Sequence, residues 1–392
     1  MKNILIFSTA YLPLVGGAEI AVKELTDRLT GFEFDLITAK LKKNLARQEK
    51  IGRVMIYRLG SGRDFDKFLL PILGLIKAIR LNRKNNYDFS WAIMASFGAL
   101  AAWLFKKINR RRPYLLTLQE GDTPEHIYSR AKWLGSCYKK MFTQADFITA
   151  ISYYLKDFAL KQGATAPIEI VPNGVDIKKF SIFNPSERTF VRADFQFSKK
   201  EFKKKLKINE DEKIIITVSR LVKKNGVGDL IEATRYLPAG VKLIVIGAGE
   251  LEKNYKLQIT NYKLNDRVLM LGIVKNEDIP QYLALADAFV RPSLSEGQGI
   301  AFLEAMAAGV PVIATPVGGI VDFLRPGQTG LFCQVNNPRS IADMAAELLN
   351  NKELAEKIKV NARELVVKNY DWDLIAVKME AIFNSVIARS KI

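Results

Sequence analysis

The sequence predicts an α/β protein of two successive doubly wound domains, each a parallel sheet with helices on both faces. Three observations predict it. The chain has 392 residues, enough for two domains of ordinary size. Short continuous apolar runs alternate with helical patterns, as expected of parallel strands buried on both faces. That alternation occurs twice, separated by a stretch at 181–212 where apolar density falls and charge rises.

The first series opens with Ile4 to Phe7, a strand that feeds a loop holding Pro13, Gly16 and Gly17. Val22, Leu25 and Leu29 then recur at helical spacing. Phe34 to Thr38 and Val54 to Arg58 read as strands. So do Phe89 to Met94 and Tyr114 to Leu118, with an apolar helix between them. Phe147 to Ala150 and Ile168 to Val171 close the series. The run from Ser198 to Lys207 reads as a solvated amphipathic helix near a domain boundary. The second series comprises Ile214 to Val218, Leu243 to Ile246, Val268 to Leu271, Ala288 to Arg291 and Val312 to Ala314. Sheets of this kind bind ligands outside the carboxyl ends of their strands, so two facing domains are expected to share a site in the cleft between them.

Composition narrows the function. Lys and Arg number 59 against 41 Asp and Glu, a net charge of +18 that suits an anionic partner: nucleotide phosphates, an anionic membrane or nucleic acid. No helix-turn-helix, zinc or RNA-binding signature accompanies the charge, so nucleic acid is set aside. Two cysteines and a single histidine, His126, exclude a disulfide scaffold and a histidine-rich metal site. They fit a reduced, cytoplasmic protein. The longest apolar stretch, Phe68 to Ile76, is broken by Pro71 and Gly74 and falls short of the roughly 20 residues needed to span a bilayer.

The chemistry is concentrated between Arg291 and Thr315. A strand runs into a glycine-flanked turn, and a helix starts near Gly299. Free amides at a helix start form an anion site, and the macrodipole favours phosphate there. Gly297 and Gly299 let a ligand approach the backbone. Glu296 precedes the helix and Glu304 lies within it, at different depths along such a site.

This block resembles the nucleotide-sugar motif of the family 4 retaining glycosyltransferases, with its Pro-Ser…Glu-Gly-x-Gly…Leu-Glu-Ala-Met-Ala-x-Gly-x-Pro-Val pattern. Other segments resemble that family in the right order. They are Gly16-Gly17-Ala18-Glu19, Val171 to Asp176, Ser219 to Gly226, Gly318-Gly319 with Asp322, and Tyr370-Asp-Trp-Asp. The resemblance implies a GT-B fold with two facing Rossmann-like domains and an inter-domain cleft. Residues 1–172 would form the acceptor-side domain, completed by a crossover helix at about 371–392. Residues 173–370 would bind the nucleotide sugar.

By the family pattern, Arg220 neutralises the pyrophosphate, its forked donors matching phosphate oxygens. Glu296 holds the transferred sugar, and these two are the expected catalytic residues. Glu304 accepts from the ribose hydroxyls. The amides of Gly297, Gln298, Gly299 and Ile300 line the sugar and phosphate, and those of Gly16 and Gly17 face the diphosphate. No metal and no cofactor is implied. The expected reaction retains anomeric configuration, by same-face attack of the acceptor as the diphosphate leaves. Two positions depart from the pattern. Asn225 stands where the family has lysine, so Lys224 or Lys223 is expected to supply that charge. Gln119 stands where the family usually has histidine, and it and Glu120 are candidate sugar contacts.

The acceptor is expected to be lipid-linked or a saccharide. Trp103 to Arg112 and the apolar helix at Phe68 to Leu81 place aromatic and basic residues together, which suits peripheral docking on an anionic inner membrane face. The alternatives are a donor-binding protein without turnover, and another enzyme of the same fold such as a sugar-nucleotide epimerase.

Overall fold

The computed structural model describes residues 1–14, 16–180, 183–184, 189–190 and 199–389. Chain contacts divide it into two units, Met1–Asn173 with Trp372–Ile392, and Gly174–Asp371.

In the first unit, β1 (Lys2–Phe7) buries Ile4 through Phe7 completely. It is followed by α1 (Gly17–Arg28), β2 (Phe32–Ala39), β3 (Gln48–Ile51) and β4 (Val54–Leu59). Next come α2 (Asp66–Asn85), β5 (Phe89–Ile93), α3 (Phe97–Ile108) and β6 (Tyr114–Leu118). The series ends with α4 (Pro124–Ala131), α5 (Cys137–Thr143), β7 (Phe147–Ala150), α6 (Tyr153–Lys161) and β8 (Ile168–Ile170). The sheet order is β3-β4-β2-β1-β5-β6-β7-β8, parallel except for β3 against β4. Every residue of β5 and β6 is buried, which is why these strands read as mostly apolar runs with no polar alternation, Ser90 and Thr117 being their polar members. Gly74 lets α2 lie close on α3, because a Cβ there would stand 3.1 Å from that of Ala101.

The second unit begins with α7 (Ile177–Phe180) and the short antiparallel pair β9 (Phe183–Asn184) and β10 (Thr189–Phe190). The helix expected at 198–207 is α8 (Lys199–Lys205); Ser198 lies outside the described residues. Then follow β11 (Lys213–Val218), α9 (Val227–Ala233), β12 (Val241–Ile246), α10 (Glu252–Asn261), β13 (Val268–Gly272) and α11 (Ile279–Leu285). The unit closes with β14 (Ala288–Arg291), α12 (Ile300–Ala307), β15 (Val312–Ala314), β16 (Leu331–Phe332), α13 (Pro338–Asn350) and α14 (Lys352–Asn369). Its sheet order is β13-β12-β11-β14-β15-β16, all parallel. In both sheets the winding reverses beside the first strand, β1 and β11, and that is where such folds open a ligand crevice.

The last helix, α15 (Trp372–Arg389), returns to the first unit. Phe383 packs edge-on against Phe32, Phe89 and Trp91, with ring centroids 5.1–5.4 Å apart. Arg28 Nε donates to Asp373 at 2.7 Å, and Lys378 donates to the Ile170 carbonyl at 2.6 Å.

Candidate functional site

In the second unit the loops after β11 and β14 flank the reversal point. Arg220 lies two residues past the end of β11, and its side chain is exposed. Its backbone is fixed, because its carbonyl accepts from the Val222 amide, Ser219 Oγ and Asn225 Nδ2 at 2.8–3.0 Å. Lys224 lies in the short 3₁₀ turn Lys223–Asn225, and its carbonyl accepts from the Leu294 amide at 2.6 Å. Gly226 ends that turn at φ +67, where a Cβ would fall 1.9 Å from the Pro292 carbonyl oxygen. Only glycine lets the two loops meet this closely.

The loop after β14 carries the motif. Glu296 is largely buried and pairs with Arg291 through Nη2 and Oε2 at 2.6 Å. The other carboxylate oxygen of Glu296 accepts from the Gly297 amide at 3.1 Å. Gln298 is 1% exposed, so its side chain is part of the interior. Gly299, at φ +85, precedes α12. The amides of Gly299 and Ile300 donate to no described group, which leaves an electropositive helix start. The turn Gly318–Asp322 closes over this loop, with the Gly319 amide donating to the Glu296 carbonyl at 3.1 Å.

Glu304 is part-buried on α12, and its carboxylate accepts no hydrogen bond from the described residues. Burial pushes its carboxyl up to about 7, while Lys179 and Arg291 pull it the other way. Burial also lowers the Arg291 guanidinium, against the attraction of Glu296 and Glu304, and Arg220 adds to the lowering. Arg220, Arg291, Glu296 and Glu304 therefore form one charge array. Among the described residues, no three His, Cys, Asp or Glu side chains cluster as metal ligands.

The candidate residues of the first unit stand at the carboxyl ends of β1 and β6. Gly16 is the N-cap of α1 and Gly17 its first residue. This loop is held by Arg58, 2% exposed, which donates to the Leu12 carbonyl at 2.5 Å and the Ala46 carbonyl at 3.0 Å and pairs with Glu49. Gln119 is part-buried, and its Oε1 accepts from Asn173 Nδ2 at 3.4 Å. Glu120, the other candidate sugar contact, is turned to the backbone. It is 5% exposed, and its carboxylate accepts the amides of Ala95 at 2.5 Å and Gln119 at 2.9 Å. It ties the loop after β5 to the loop after β6. Burial nevertheless raises its carboxyl, the amide donors offsetting part of the effect. His126 is exposed on the first turn of α4.

Sequence reasoning missed Arg291 and Arg58. Each looks like the end of a strand, and only the fold surrounds it with acceptors. The aromatic surface expected at Trp103 to Arg112 is also corrected. Trp103 is 4% exposed, and its indole donates to Gln144 at 2.7 Å. Only Lys107, Ile108, Arg110 and Arg111 of that segment are exposed.

Comparison with known proteins adds a family to this geometry. A family model described as Glycosyltransferase Family 4 matches residues 15–179, and one described as Glycosyl transferases group 1 matches residues 198–365. The chain is 31% identical to a GDP-mannose-dependent alpha-(1-6)-phosphatidylinositol monomannoside mannosyltransferase of Mycobacterium tuberculosis, over 97% of each protein. It is 29% identical to an N-acetyl-alpha-D-glucosaminyl L-malate synthase of Bacillus anthracis, over 97% of this chain and 96% of that protein. An Anabaena protein solved in complex with UDP-glucose superposes with a TM-score of 0.77 at 20% identity, covering 98% of this chain and all of that one.

Proposed function

The chain belongs to the family 4, group 1 glycosyltransferases, and from that premise we propose that it moves a sugar from a nucleoside-diphosphate sugar to a lipid-linked or saccharide acceptor, with retention of anomeric configuration. The array of Arg220, Arg291, Glu296 and Glu304 around the open start of α12 carries this reading. Arg220 and the amides of Gly299 and Ile300 supply positive potential where charge develops on the leaving diphosphate. The same groups make a metal unnecessary for that task. Glu304 accepts from the ribose hydroxyls, and Glu296 accepts from the sugar. The acceptor hydroxyl attacks the anomeric carbon on the face the diphosphate leaves. In the first unit, Gly16 and Gly17 at the start of α1 present amides suited to phosphate, and Gln119 after β6 presents a side-chain amide suited to a sugar hydroxyl.

The acceptor class rests on two observations. One named relative acts on a phosphatidylinositol monomannoside. α2 and its N-cap residue Phe65 also expose Phe65, Phe68, Leu69, Ile72 and Ile76 on one side, with Arg80, Arg83 and Lys84 exposed farther along. No described helix is long and apolar enough to cross a membrane, so this face would lie on an anionic bilayer from the cytoplasmic side.

The test is a thermal-shift screen of nucleotide sugars at low salt, with and without EDTA, on wild type and Glu304→Ala. A ligand that binds only the folded state raises Tm by mass action. The reading expects one sugar nucleotide to raise the wild-type Tm, EDTA to change nothing, and Glu304→Ala to lose the shift. No shift at millimolar concentration with any sugar nucleotide would sink it. Binding without turnover on any lipid-linked or saccharide acceptor would leave the donor-binding alternative in its place.

A further inference from the structure

Arg291 is the residue of this site that the family motif leaves without a role, and it is the most constrained. It is 6% exposed at the end of β14. Its Nη2 lies 2.6 Å from Glu296 Oε2. Its Nη1 donates to the carbonyl of Val218, the last residue of β11, at 3.4 Å. Its guanidinium carbon lies 4.2 Å from the ring centroid of Phe302, in the first turn of α12. Nε has no partner. The group thus bridges both strands at the reversal point and the helix that follows. Gly299 makes the room, since a Cβ there would fall 2.5 Å from both Nη2 and Phe302 Cδ2.

We propose that Arg291 is a positioning residue for the donor sugar, holding the Glu296 carboxylate in the geometry that receives the sugar hydroxyls. The proposal rests on the donor reading above. A glutamate at the mouth of a glycine loop has three rotatable side-chain bonds. Fixing it before the ligand arrives removes an ordering cost from binding. A buried guanidinium is the right group for this, because its planar fork keeps its geometry while one arm is used elsewhere. It is also held from behind by a carbonyl and an aromatic face, so it cannot follow Glu296 outward. The arrangement predicts an effect confined to the sugar. Arg291 touches Glu296, whereas the diphosphate is met by Arg220 and the start of α12.

Calorimetric titration of UDP-, GDP- and dTDP-sugars, each against its own nucleoside diphosphate, separates the possibilities. The proteins are wild type, Arg291→Met, Arg291→Lys, Glu296→Gln and the Arg291→Met/Glu296→Gln double variant. Titrations run at pH 8.5, where Glu304 is ionised, and thermal melts report folding. In wild type the best sugar nucleotide should bind more tightly than its nucleoside diphosphate. Arg291→Met should lose about 10-fold or more of that advantage, a difference of about 1.4 kcal/mol, with nucleoside diphosphate affinity nearly unchanged. Arg291→Lys, which keeps the charge and one donor, should recover part of the loss. The double variant should be no worse than Glu296→Gln alone, because the two residues act as one unit. Equal weakening of sugar nucleotide and nucleoside diphosphate in both Arg291 variants would show that Arg291 only supports the fold. Strict additivity in the double variant would also overturn the proposal. Wild-type binding of no sugar nucleotide would overturn the donor reading itself, and Arg291's role with it.

Discussion

Asn225 Nδ2 donates to the carbonyl of Arg220 at 2.8 Å, so the residue that stands where the family has lysine serves the backbone of the residue proposed to meet the diphosphate. Asn225 is 5% exposed, and its amide group points into the turn. Asn225→Ala removes one of three donors from the Arg220 carbonyl. Net loss of such a bond is worth about 1 kcal/mol, or roughly 5-fold in an equilibrium. Nucleoside diphosphate affinity measured by calorimetry should fall by about that factor, with Tm lowered by a few degrees. Unchanged affinity would show that the tether does not position Arg220.

Glu304 gives the site a pH dependence with a definite sign. Its carboxyl is raised from 4.5 to about 7 by burial, with Lys179 and Arg291 acting in the opposite direction. The folded protein therefore binds this proton more tightly than the unfolded chain. The stabilisation is fully present below about pH 4.5 and is lost as pH rises through about 7. Glu304→Gln should melt at nearly the wild-type temperature at pH 5 and above it at pH 8. The proposed ribose contact is stronger to an ionised acceptor, so wild-type nucleotide affinity should rise with pH through about 7, and Glu304→Gln should abolish that rise. A melting difference between the two proteins that does not change between pH 5 and 8 would contradict the assignment.

The strands next to the site were legible because they are buried on both faces. Ala288 to Val290 and Val312 to Ala314 are short apolar runs of the kind that a covered parallel sheet accommodates. β3 carries Gln48, Glu49 and Lys50 on a sheet edge, and β16 has two residues, so neither leaves a period to read. The positions of Glu296 and Glu304 followed from motif spacing. The burial of Arg291 did not, because Val218, Glu296 and Phe302 are brought to it by β11, the loop and α12 separately. Glu120 reads in the sequence as a candidate sugar contact after a strand. Its amide partners include Ala95, 25 residues earlier in the chain, and nothing local announces them. Trp103 sat among basic residues in the sequence, yet it falls on the face of α3 that packs inward.

Gly318 couples the downstream glycine pair to Glu296. It adopts φ +56, and a Cβ there would stand 1.8 Å from the Glu296 carbonyl oxygen. Gly318→Ala must open the turn Gly318–Asp322, strain the backbone and release the bond from the Gly319 amide to Glu296. The cost should be about 1–3 kcal/mol, read as a fall in denaturant midpoint with an unchanged slope. Sugar-nucleotide affinity should fall with it. Gly327→Ala, at φ +67 with no atom near its Cβ position, isolates the backbone term and should cost less. Equal losses in the two variants would mean that contact with Glu296 contributes nothing.

The exposed face of α2 makes the membrane proposal testable without touching the site. Phe65, Phe68, Leu69, Ile72 and Ile76 recur at spacings of three and four, so they share one side of the helix. Ile72 is 63% exposed and Phe65 62%, so changing them costs little core packing. Beyond them Arg80, Arg83 and Lys84 are exposed, and Arg112 donates to Asn86, which brings the basic end of α3 beside them. An apolar stripe inserts into the headgroup boundary while the cations stay with lipid phosphates, each exposed cation contributing about 1 kcal/mol near an anionic surface. Wild type should float with phosphatidylglycerol-containing liposomes at low salt, and raised ionic strength should release part of it. Ile72→Glu should abolish flotation with Tm unchanged. Arg80→Glu with Arg83→Glu should reduce it and remove the salt dependence. Both variants should bind sugar nucleotide as wild type does, since none of the three changed residues is assigned to the donor. Flotation that is absent in wild type, or unaffected by Ile72→Glu, would rule out this face as the docking surface.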